Sequence, residues 1–228
     1  MKITAIVPMK GHSSRVPNKN IRPMCGKPLF HWIVEELLAT PEIGRVVVET
    51  DADHIAEDAL RNFDVTILRR PKALEGDDVP MNALIAFHMA ELRGEAYLQT
   101  HSTNPLLTSG SLSRAIATYF TPGDHDSLFS VTVHKTRLFN ADGSALNHNP
   151  EELIPTQDLP PVYEENSNIY IFTEESFKKR SHRIGKRPLL FPMDRLEAVD
   201  IDEIADFRFA ETLMEERIAQ RTGVHAKS

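Results

Sequence analysis

Short apolar runs alternate with longer stretches of helical spacing through the first 133 residues of this chain. Five runs are rich in Val, Ile, Leu and Thr and have the length of buried strands: residues 2–8, 45–50, 64–69, 95–100 and 127–133. Apolar residues recur at helical spacing between them, in residues 28–39, 54–62, 80–93 and 109–120. This alternation predicts an α/β fold, with a parallel or mixed sheet and helices on both faces.

The pattern changes over residues 134–168, which are rich in proline, asparagine and turn signals. A structureless loop of this length is unusual in a compact domain, so we expect a small projecting lobe with a hairpin around Asp142 and Gly143. The chain is thus predicted to be one domain, residues 1–228, with 134–168 as an inserted lobe. Further strands are expected at 169–173 and 189–192, and further helices at 176–183 and 203–220.

The loop after the first predicted strand, residues 8–28, is basic. The first acid of the chain is Glu35, although the whole sequence contains 33 acids in 228 residues and has a net charge of −7. Ligands of parallel α/β sheets bind where the strands end, and backbone N–H groups, hydroxyls and cations suit phosphate oxygens. The loop is therefore predicted to bind a small polyanion. Its cations are Lys10, Arg15, Lys19, Arg22 and Lys27.

Several classes of protein are not indicated. The basic loop is neither G-x-x-x-x-G-K-S/T nor G-x-G-x-x-G, which argues against a P-loop ATPase and a dinucleotide-binding dehydrogenase. The net charge of −7 and the absence of a long apolar run argue against general binding to nucleic acid or membranes. The single cysteine, Cys25, cannot form an internal disulfide, and no signal-peptide pattern is present, so a cytoplasmic protein is expected. Cations near Cys25 could lower its pKa, but it has no paired base in sequence and is expected to be non-catalytic.

Two carboxylates near the end of the chain form a D-x-D pattern, Asp200 and Asp202. On an extended segment, side chains two residues apart point the same way, so both could reach one hard cation such as Mg²⁺. The alternative is that one of them caps the helix that begins near Glu203. Asp206 is expected behind the metal ligands or on the helix surface.

A second basic run lies at residues 178–187. Such a run is usually a solvated face, but a substrate that carries a carboxylate could use one or two of its cations. These are Lys178, Lys179, Arg180, Arg183, Lys186 and Arg187.

The stretch PMKGHSSRVPNKNIRPMCGKPL resembles the N-terminal signature of the acylneuraminate cytidylyltransferase family, whose best-known members are the CMP-N-acetylneuraminate synthetases. Lys10 stands where the family usually has Arg, and Ser14 where it has Lys; Arg15 is close enough to supply the displaced charge. The segments RVVVETDADHIAEDA, RRPKALEGDD, LQTHSTNPLLT, YEENSNIYIF and VDID resemble later family motifs. Positions that match the N-terminal signature are Ser13, Pro17, Lys19, Asn20, Gly26, Lys27, Pro28 and Leu29.

This resemblance implies a Rossmann-like mononucleotide-binding fold and an enzyme of the nucleotidyltransferase class. The implied reaction transfers CMP from CTP to the anomeric hydroxyl of a nonulosonic, sialic-acid-like 2-keto sugar acid and releases pyrophosphate. The implied cofactor is Mg²⁺ (or Mn²⁺), with CTP as co-substrate. The resemblance also implies a homodimer in which the lobe, residues 134–168, reaches over the neighbour's site.

The resemblance also implies roles for individual residues. Those implied in catalysis are Lys10, Arg15, Lys19 and Asp202. Those implied in nucleotide binding are Lys10, Gly11, Ser13, Ser14, Arg15, Asn20, Arg70 and Asp77. Those implied in binding the sugar acid are His101, Ser102, Thr103 and Asn104. Those implied in binding the metal are Asp200 and Asp202.

Two alternatives remain open. Departures from the family pattern at Lys10, Ser14, His101 and Leu107 allow a cytidylyltransferase for another acid, such as 3-deoxy-manno-octulosonate, legionaminic or pseudaminic acid. The other alternative is a catalytically weak nucleotide-binding module that keeps the fold. The intact pair of Asp200 and Asp202 argues against that second alternative.

Overall fold

The computed structural model describes residues 2–223 and contains nine strands and six α-helices within them. The strands are β1 (Ile3–Met9), β2 (Pro23–Met24), β3 (Lys27–Pro28), β4 (Ile43–Thr50), β5 (Thr66–Arg69), β6 (Tyr97–Gln99), β7 (Ser127–His134), β8 (Val162–Phe172) and β9 (Pro188–Pro192). The helices are α1 (Leu29–Leu38), α2 (Asp53–Asn62), α3 (Met81–Glu91), α4 (Ser109–Tyr119), α5 (Glu174–Arg180) and α6 (Ile204–Thr222). Three short 3₁₀ turns lie at Lys19–Ile21, Lys72–Leu74 and Thr156–Asp158.

Seven strands form one sheet in the order β5-β4-β1-β6-β8-β7-β9, and β2 pairs with β3 in a separate short hairpin. All neighbours in the large sheet are parallel except β8, which runs antiparallel to both β6 and β7. The predicted α/β fold with a mixed sheet is therefore confirmed. The carboxyl ends of β1, β4, β6 and β7 lie on the same edge, as predicted for the loops that follow them.

Alternate residues of the central strands pack against helices on opposite faces of the sheet. Ala5 and Val7 of β1 belong to a core with α1, α2 and α4, whereas Ile6 packs with α3 and α5 on the other face. A third cluster packs α6 against the short hairpin and the loop after β6 through Met24, Leu106 and others. Both faces of the sheet are thus covered. Among the helices described, none combines the length and hydropathy of a transmembrane span.

Strand β8 is longer than the predicted strand at 169–173, because it begins at Val162, inside the expected lobe. Its first residues pair with the end of β7, from Val131 opposite Glu165 to His134 opposite Val162. Backbone pairing with β7 holds this segment in the sheet although its side chains are polar and the sequence has no apolar run there.

Residues 135–161 connect β7 to β8, and they include the predicted hairpin. Phe139 forms an isolated antiparallel bridge with Ala145. The Asn140 backbone N–H donates to the Ser144 carbonyl at 2.8 Å, and Asn140 Nδ2 donates to Ser144 Oγ at 3.0 Å. Gly143 lies at the turn with a φ of +84°, which favours glycine. That this segment mediates dimerisation stays a prediction.

Candidate active site

Two adjoining clefts open where the strands end. The first, which we call the basic cleft, has a volume of about 240 Å³. It is lined by Pro8, Met9, Lys10, His12, Ser13, Ser14, Arg15, Lys19, Asn20, Arg70, Asp77, Met81, Leu84, His101, Ser102 and Thr103. The second, the acidic cleft, has a volume of about 330 Å³. It is lined by Met81, His101, Thr103, Ser167, Arg183, Asp200 and Asp202.

Gly11 and Asn20 shape the basic loop. The Gly11 N–H donates a 2.6 Å hydrogen bond to Asp51 Oδ1, and a Cβ at this position would lie only 2.6 Å from the Ala52 Cβ. Asn20 Nδ2 donates to the Lys10 carbonyl at 2.7 Å, and Asn20 Oδ1 accepts from Ser102 Oγ at 2.6 Å. Gly11 therefore supplies close approach to the end of β4, and Asn20 ties the basic loop to the loop after β6.

Lys10 and Asp77 meet at the mouth of the basic cleft. Lys10 Nζ lies 3.0 Å from Asp77 Oδ1, and this hydrogen bond lowers the pKa of the Asp77 carboxyl. Both side chains keep contact with solvent, so the pair can open without a large desolvation cost. The structure thus brings together two residues that the sequence places 67 positions apart.

Arg70 lies at the floor of the basic cleft in a fully buried ion pair. Its Nε and Nη2 donate to the two carboxylate oxygens of Glu49 at 2.7 and 2.8 Å, and His88 Nε2 lies 3.5 Å from the same carboxylate. Burial opposes ionisation of Glu49, but the hydrogen bonds from Arg70, with the His88 ring close by, outweigh it and lower the pKa of Glu49. Arg70 Nη1 has no hydrogen-bond partner within the described chain, although it is buried. The pair holds this cation rigidly at the cleft.

Glu49 and His88 were not predicted as site residues. The signal in the sequence was an acid inside the β-branched run RVVVET, since an acid in a central strand needs a buried partner. Sequence alone does not identify that partner, because Arg70 lies 21 positions away on the neighbouring strand's loop.

The basic loop reaches the acid pair through two contacts. Arg15 Nη2 lies 2.7 Å from Asp202 Oδ1, and Lys19 Nζ donates to the Ile201 carbonyl at 2.7 Å. Burial lowers the pKa of Lys19, and the carboxylates of Asp202 and Asp200 partly offset this effect. Residues 187 positions apart in sequence are therefore in direct contact at the junction of the two clefts.

Asp200 and Asp202 both face the acidic cleft because Ile201 between them is buried. The Ile201 N–H donates to the Thr103 carbonyl at 3.0 Å, which keeps the segment extended. Burial raises the pKa of Asp200, and the neighbouring charge of Asp202 adds to the rise. One oxygen of Asp200, Oδ1, is buried without a hydrogen-bond partner in the described part of the chain.

Neither acid of this pair caps α6 with its side chain. The cap is formed by Glu203, whose side chain accepts the third N–H of the helix, and by Asp206, whose Oδ2 accepts from the Glu203 and Asp202 N–H groups at 2.7 and 3.0 Å. The capping alternative for Asp200 and Asp202 is thus removed, and Asp206 lies behind them at the helix start.

The acid pair fits a hard divalent cation. Two carboxylates face one cleft, and the unpartnered buried oxygen of Asp200 is a free ligand atom. No cluster of three or more His, Cys, Asp or Glu side chains within residues 2–223 could hold a metal by itself. A cation here would complete its coordination with oxygens of water or substrate, as Mg²⁺ commonly does.

His101 and Arg183 meet at the wall of the acidic cleft through Gln99. Gln99 Nε2 lies 2.9 Å from His101 Nε2, and Arg183 Nη1 donates to Gln99 Oε1 at 2.7 Å. Burial, followed by the charges of Arg183 and Lys19, lowers the pKa of His101 to about 3. His101 is therefore a neutral imidazole that borders both clefts.

The four residues predicted to bind the sugar acid divide into two groups. His101, Ser102 and Thr103 line the basic cleft, and His101 and Thr103 also line the acidic one. Asn104 is fully buried, with Nδ2 3.5 Å from the Val199 carbonyl, and lines neither cleft, so its contact with substrate stays a prediction. Its amide instead packs the loop after β6 against the segment before Asp200.

Comparison of the sequence with known proteins identifies the family to which the chain is similar. The family model described as Cytidylyltransferase matches residues 4–222. The pseudaminic acid cytidylyltransferase of Campylobacter jejuni (serotype O:2) is 27% identical over 93% of this chain and 96% of that protein. The CMP-N,N'-diacetyllegionaminic acid synthase of Legionella pneumophila is 28% identical over 94% of this chain and 97% of that protein.

A solved structure supports the same fold. CMP:2-keto-3-deoxy-manno-octonic acid synthetase, complexed with CTP, superposes with a TM-score of 0.70 at 15% identity, over 95% of this chain and 100% of that one. At this identity the likeness concerns the fold alone, whereas the family model covers nearly all of the described residues. The chain therefore belongs to the cytidylyltransferase family and is a nucleotidyltransferase.

Proposed function

We propose that the protein transfers CMP from CTP to the anomeric hydroxyl of a nonulosonic, sialic-acid-like 2-keto sugar acid and releases pyrophosphate. The observation that carries this proposal is the junction of the two clefts, where Arg15 contacts Asp202 and Lys19 contacts the Ile201 carbonyl. The cations of the basic cleft suit the triphosphate of a nucleotide, and the two carboxylates of the acidic cleft suit a metal cation beside the reacting phosphate.

The basic cleft would hold the nucleotide. Lys10, Arg15 and Lys19 would neutralise the triphosphate and the departing pyrophosphate, since such transfers depend chiefly on positioning and charge stabilisation. Hydroxyls of Ser13 and Ser14 lie in the same cleft and can donate to phosphate oxygens. Four further residues would complete nucleotide binding in the basic cleft: Gly11, Asn20, Arg70 and Asp77.

The acidic cleft would hold the acceptor and the cation. Asp200 and Asp202 would bind Mg²⁺ (or Mn²⁺), which would neutralise charge on the α-phosphate when bound. The anomeric hydroxyl oxygen attacks the α-phosphorus, the bond from that phosphorus to the oxygen bridging to the β-phosphorus breaks, and pyrophosphate leaves. The hydroxyl proton passes to a carboxylate of the Asp200–Asp202 pair.

The acceptor could be one of several related acids. Relatives at 27 and 28% identity are named for pseudaminic and diacetyllegionaminic acid, and an N-acylneuraminate cytidylyltransferase of Escherichia coli is 24% identical over 98% of this chain and 55% of that protein. These names favour an acid of the nonulosonic class over an unrelated acceptor. We further propose a cytoplasmic enzyme without a nucleic-acid partner, in keeping with its net charge of −7 and single cysteine.

Pyrophosphate release from CTP across a panel of acids tests this proposal. The panel contains N-acetylneuraminic, pseudaminic, diacetyllegionaminic and 3-deoxy-manno-octulosonic acids, each with and without Mg²⁺, and with UTP and ATP as alternative donors. We expect release that requires CTP, a divalent cation and one of the acids. Failure of every acid to support release would overturn the proposed reaction and favour a nucleotide-binding module.

Asp202→Asn tests the role of the acid pair. Loss of one anionic ligand should lower Mg²⁺-dependent turnover by roughly 10²-fold or more, on the order of one lost transition-state contact. The mutant should still fold, because Asp202 is exposed and does not cap α6 with its side chain. An unchanged Mg²⁺ titration of turnover would show that Asp202 is not a metal ligand.

A further inference from the structure

Of the six cations in residues 178–187, Arg183 alone lines the acidic cleft. Lys178 and Lys179 form ion pairs with acids one helical turn earlier on α5. Arg180 donates to the Gly185 carbonyl, and Arg187 pairs with Asp124 far from the clefts. The second basic run is therefore a solvated face except at one position.

The Arg183 guanidinium is fixed before any ligand arrives. It stacks on the Tyr170 ring, with the central carbon 3.4 Å from the ring centroid, and its Nη1 donates to Gln99 Oε1 at 2.7 Å. The backbone N–H of Arg183 donates to Asn82 Oδ1 at 3.3 Å. Only 14% of the side chain is exposed. A buried, stacked and hydrogen-bonded guanidinium loses little freedom when it binds an anion.

The same guanidinium keeps donors available for a ligand. Arg carries five N–H donors in a planar fork that matches a carboxylate, and the contact to Gln99 uses one of them. Glu165 Oε1 is 3.6 Å from Nη2, beyond a normal hydrogen bond, and its side chain is 44% exposed. The Tyr170 hydroxyl donates a hydrogen bond to the same Glu165 oxygen, so Glu165 is held by Tyr170 and leaves the remaining guanidinium donors unused.

The charges of the acidic cleft require such a cation if the acceptor is an acid. Asp200 and Asp202 are the other ionisable groups that line this cleft besides His101, which is neutral. Without Arg183, a sugar acid would enter a cleft whose fixed charges are negative. Resting on the proposed function, we propose that Arg183, positioned by Gln99 and Tyr170, binds the carboxylate of the acceptor.

The chemistry of a 2-keto sugar acid makes this contact one that positions the reacting group. Its carboxylate is bonded to the anomeric carbon, the same carbon that carries the attacking hydroxyl. A bidentate contact at Arg183 thus restricts the direction of that hydroxyl. His101 and Thr103 line both clefts, so the basic cleft proposed for the nucleotide lies next to the acidic cleft proposed for the acceptor.

Arg183→Met and Arg183→Lys test the subsite by steady-state kinetics with the acid that the panel selects. Arg183→Met should raise KM for the acid by about 10²-fold, as expected for the loss of one charge-assisted bidentate contact, and leave KM for CTP within about twofold. Arg183→Lys keeps the charge without the fork and should give an intermediate rise. The control Lys179→Met removes an exposed cation of the same run and should change neither constant.

The methyl ester of the acid supplies a test that does not depend on how well the mutant folds. The wild-type protein should prefer the acid to its ester by about 10²-fold in KM, and Arg183→Met should reduce that preference to a few-fold. Equal KM values for the acid in the wild type and Arg183→Met, or an unchanged preference over the ester, would overturn the subsite.

Direct binding separates this inference from the proposed reaction. If no acid supports pyrophosphate release, saturation-transfer NMR with the same four acids and their esters still compares wild type with Arg183→Met. Weaker binding of the acids to the mutant supports the subsite even though the reaction is then wrong. Equal signals from both proteins, including no signal from either, overturn it.

Discussion

Cys25 shows how strongly a single residue depends on its tertiary neighbours. It lies among cations in sequence, between Arg22 and Lys27, which could have lowered its pKa. In the structure its thiol packs against α6, with Sγ 3.7 Å from the Glu211 carbonyl. Burial, then the charges of Glu211 and Glu215, raise the pKa of the thiol to about 11. This supports the prediction that Cys25 is non-catalytic.

We predict that Cys25 reacts slowly with iodoacetamide. With a pKa of about 11, the thiolate fraction at pH 8 is about 10²-fold lower than for a free cysteine, since only the thiolate is nucleophilic. Mass spectrometry at pH 8 to 10 should show slow alkylation that rises about tenfold per pH unit. Glu211→Gln removes one of the two neighbouring charges and should speed the reaction. A wild-type rate equal to that of glutathione would contradict the prediction.

At the scale of an element, the start of α6 separates two tasks among four acids. Glu203 and Asp206 satisfy N–H groups at the first turn of the helix, whereas Asp200 and Asp202 face the acidic cleft. An N-terminal acid is also favoured by the positive end of the helix dipole. The acids differ in role because the side chains of Glu203 and Asp206 lie over the start of α6, whereas those of Asp200 and Asp202 do not.

We predict that Asp206→Ala destabilises the protein by about 1 kcal/mol, the usual effect of losing a capping side chain. Its Oδ2 accepts two backbone N–H groups, which the alanine would leave without that partner. Urea unfolding followed by circular dichroism measures the change. Asp206→Asn keeps an acceptor oxygen and should lose less, and an equal loss in both variants would show that the carboxylate charge matters more than the cap.

At the scale of the whole molecule, residues 135–161 leave an apolar surface uncovered. Leu153 is 85% exposed, and other large apolar side chains nearby are Phe139, Leu146, Ile154 and Tyr163. Several exposed large apolar side chains within one segment are typical of a protein–protein interface. Because most soluble oligomers are symmetric assemblies of one chain, a second copy is the expected occupant.

We predict that the protein is a homodimer and that the double substitution Phe139→Glu/Leu153→Glu makes it monomeric. Two charges in an apolar interface would have to be desolvated on association, which is strongly unfavourable. Sedimentation velocity at micromolar concentration measures the state. Leu60→Glu, at a similarly exposed position on α2, should remain dimeric. A monomeric wild-type protein under these conditions would contradict the prediction of a homodimer.

Patterns within short windows were sufficient for part of the fold and site. The alternation of β-branched runs and helical spacing identified the α/β fold, because strands and helices of such a fold bury apolar residues with periods that a window of ten residues displays. The charge of the basic loop and the D-x-D spacing likewise indicated the residues that line the two clefts, since each is a property of one continuous segment.

Contacts between distant segments decided the rest. Four features depend on which segments the sheet order brings together. They are the antiparallel start of β8, the pairing of Glu49 with Arg70, the burial of Asn104 and the position of Arg183 at the acidic cleft. No local pattern contains that order, because each contact joins residues far apart in sequence. The sequence by itself determined the fold class, the basic loop and the acid pair; only the tertiary structure joined Arg15 to Asp202, because packing of α6 against the loop after β6 carries that acid to the cleft.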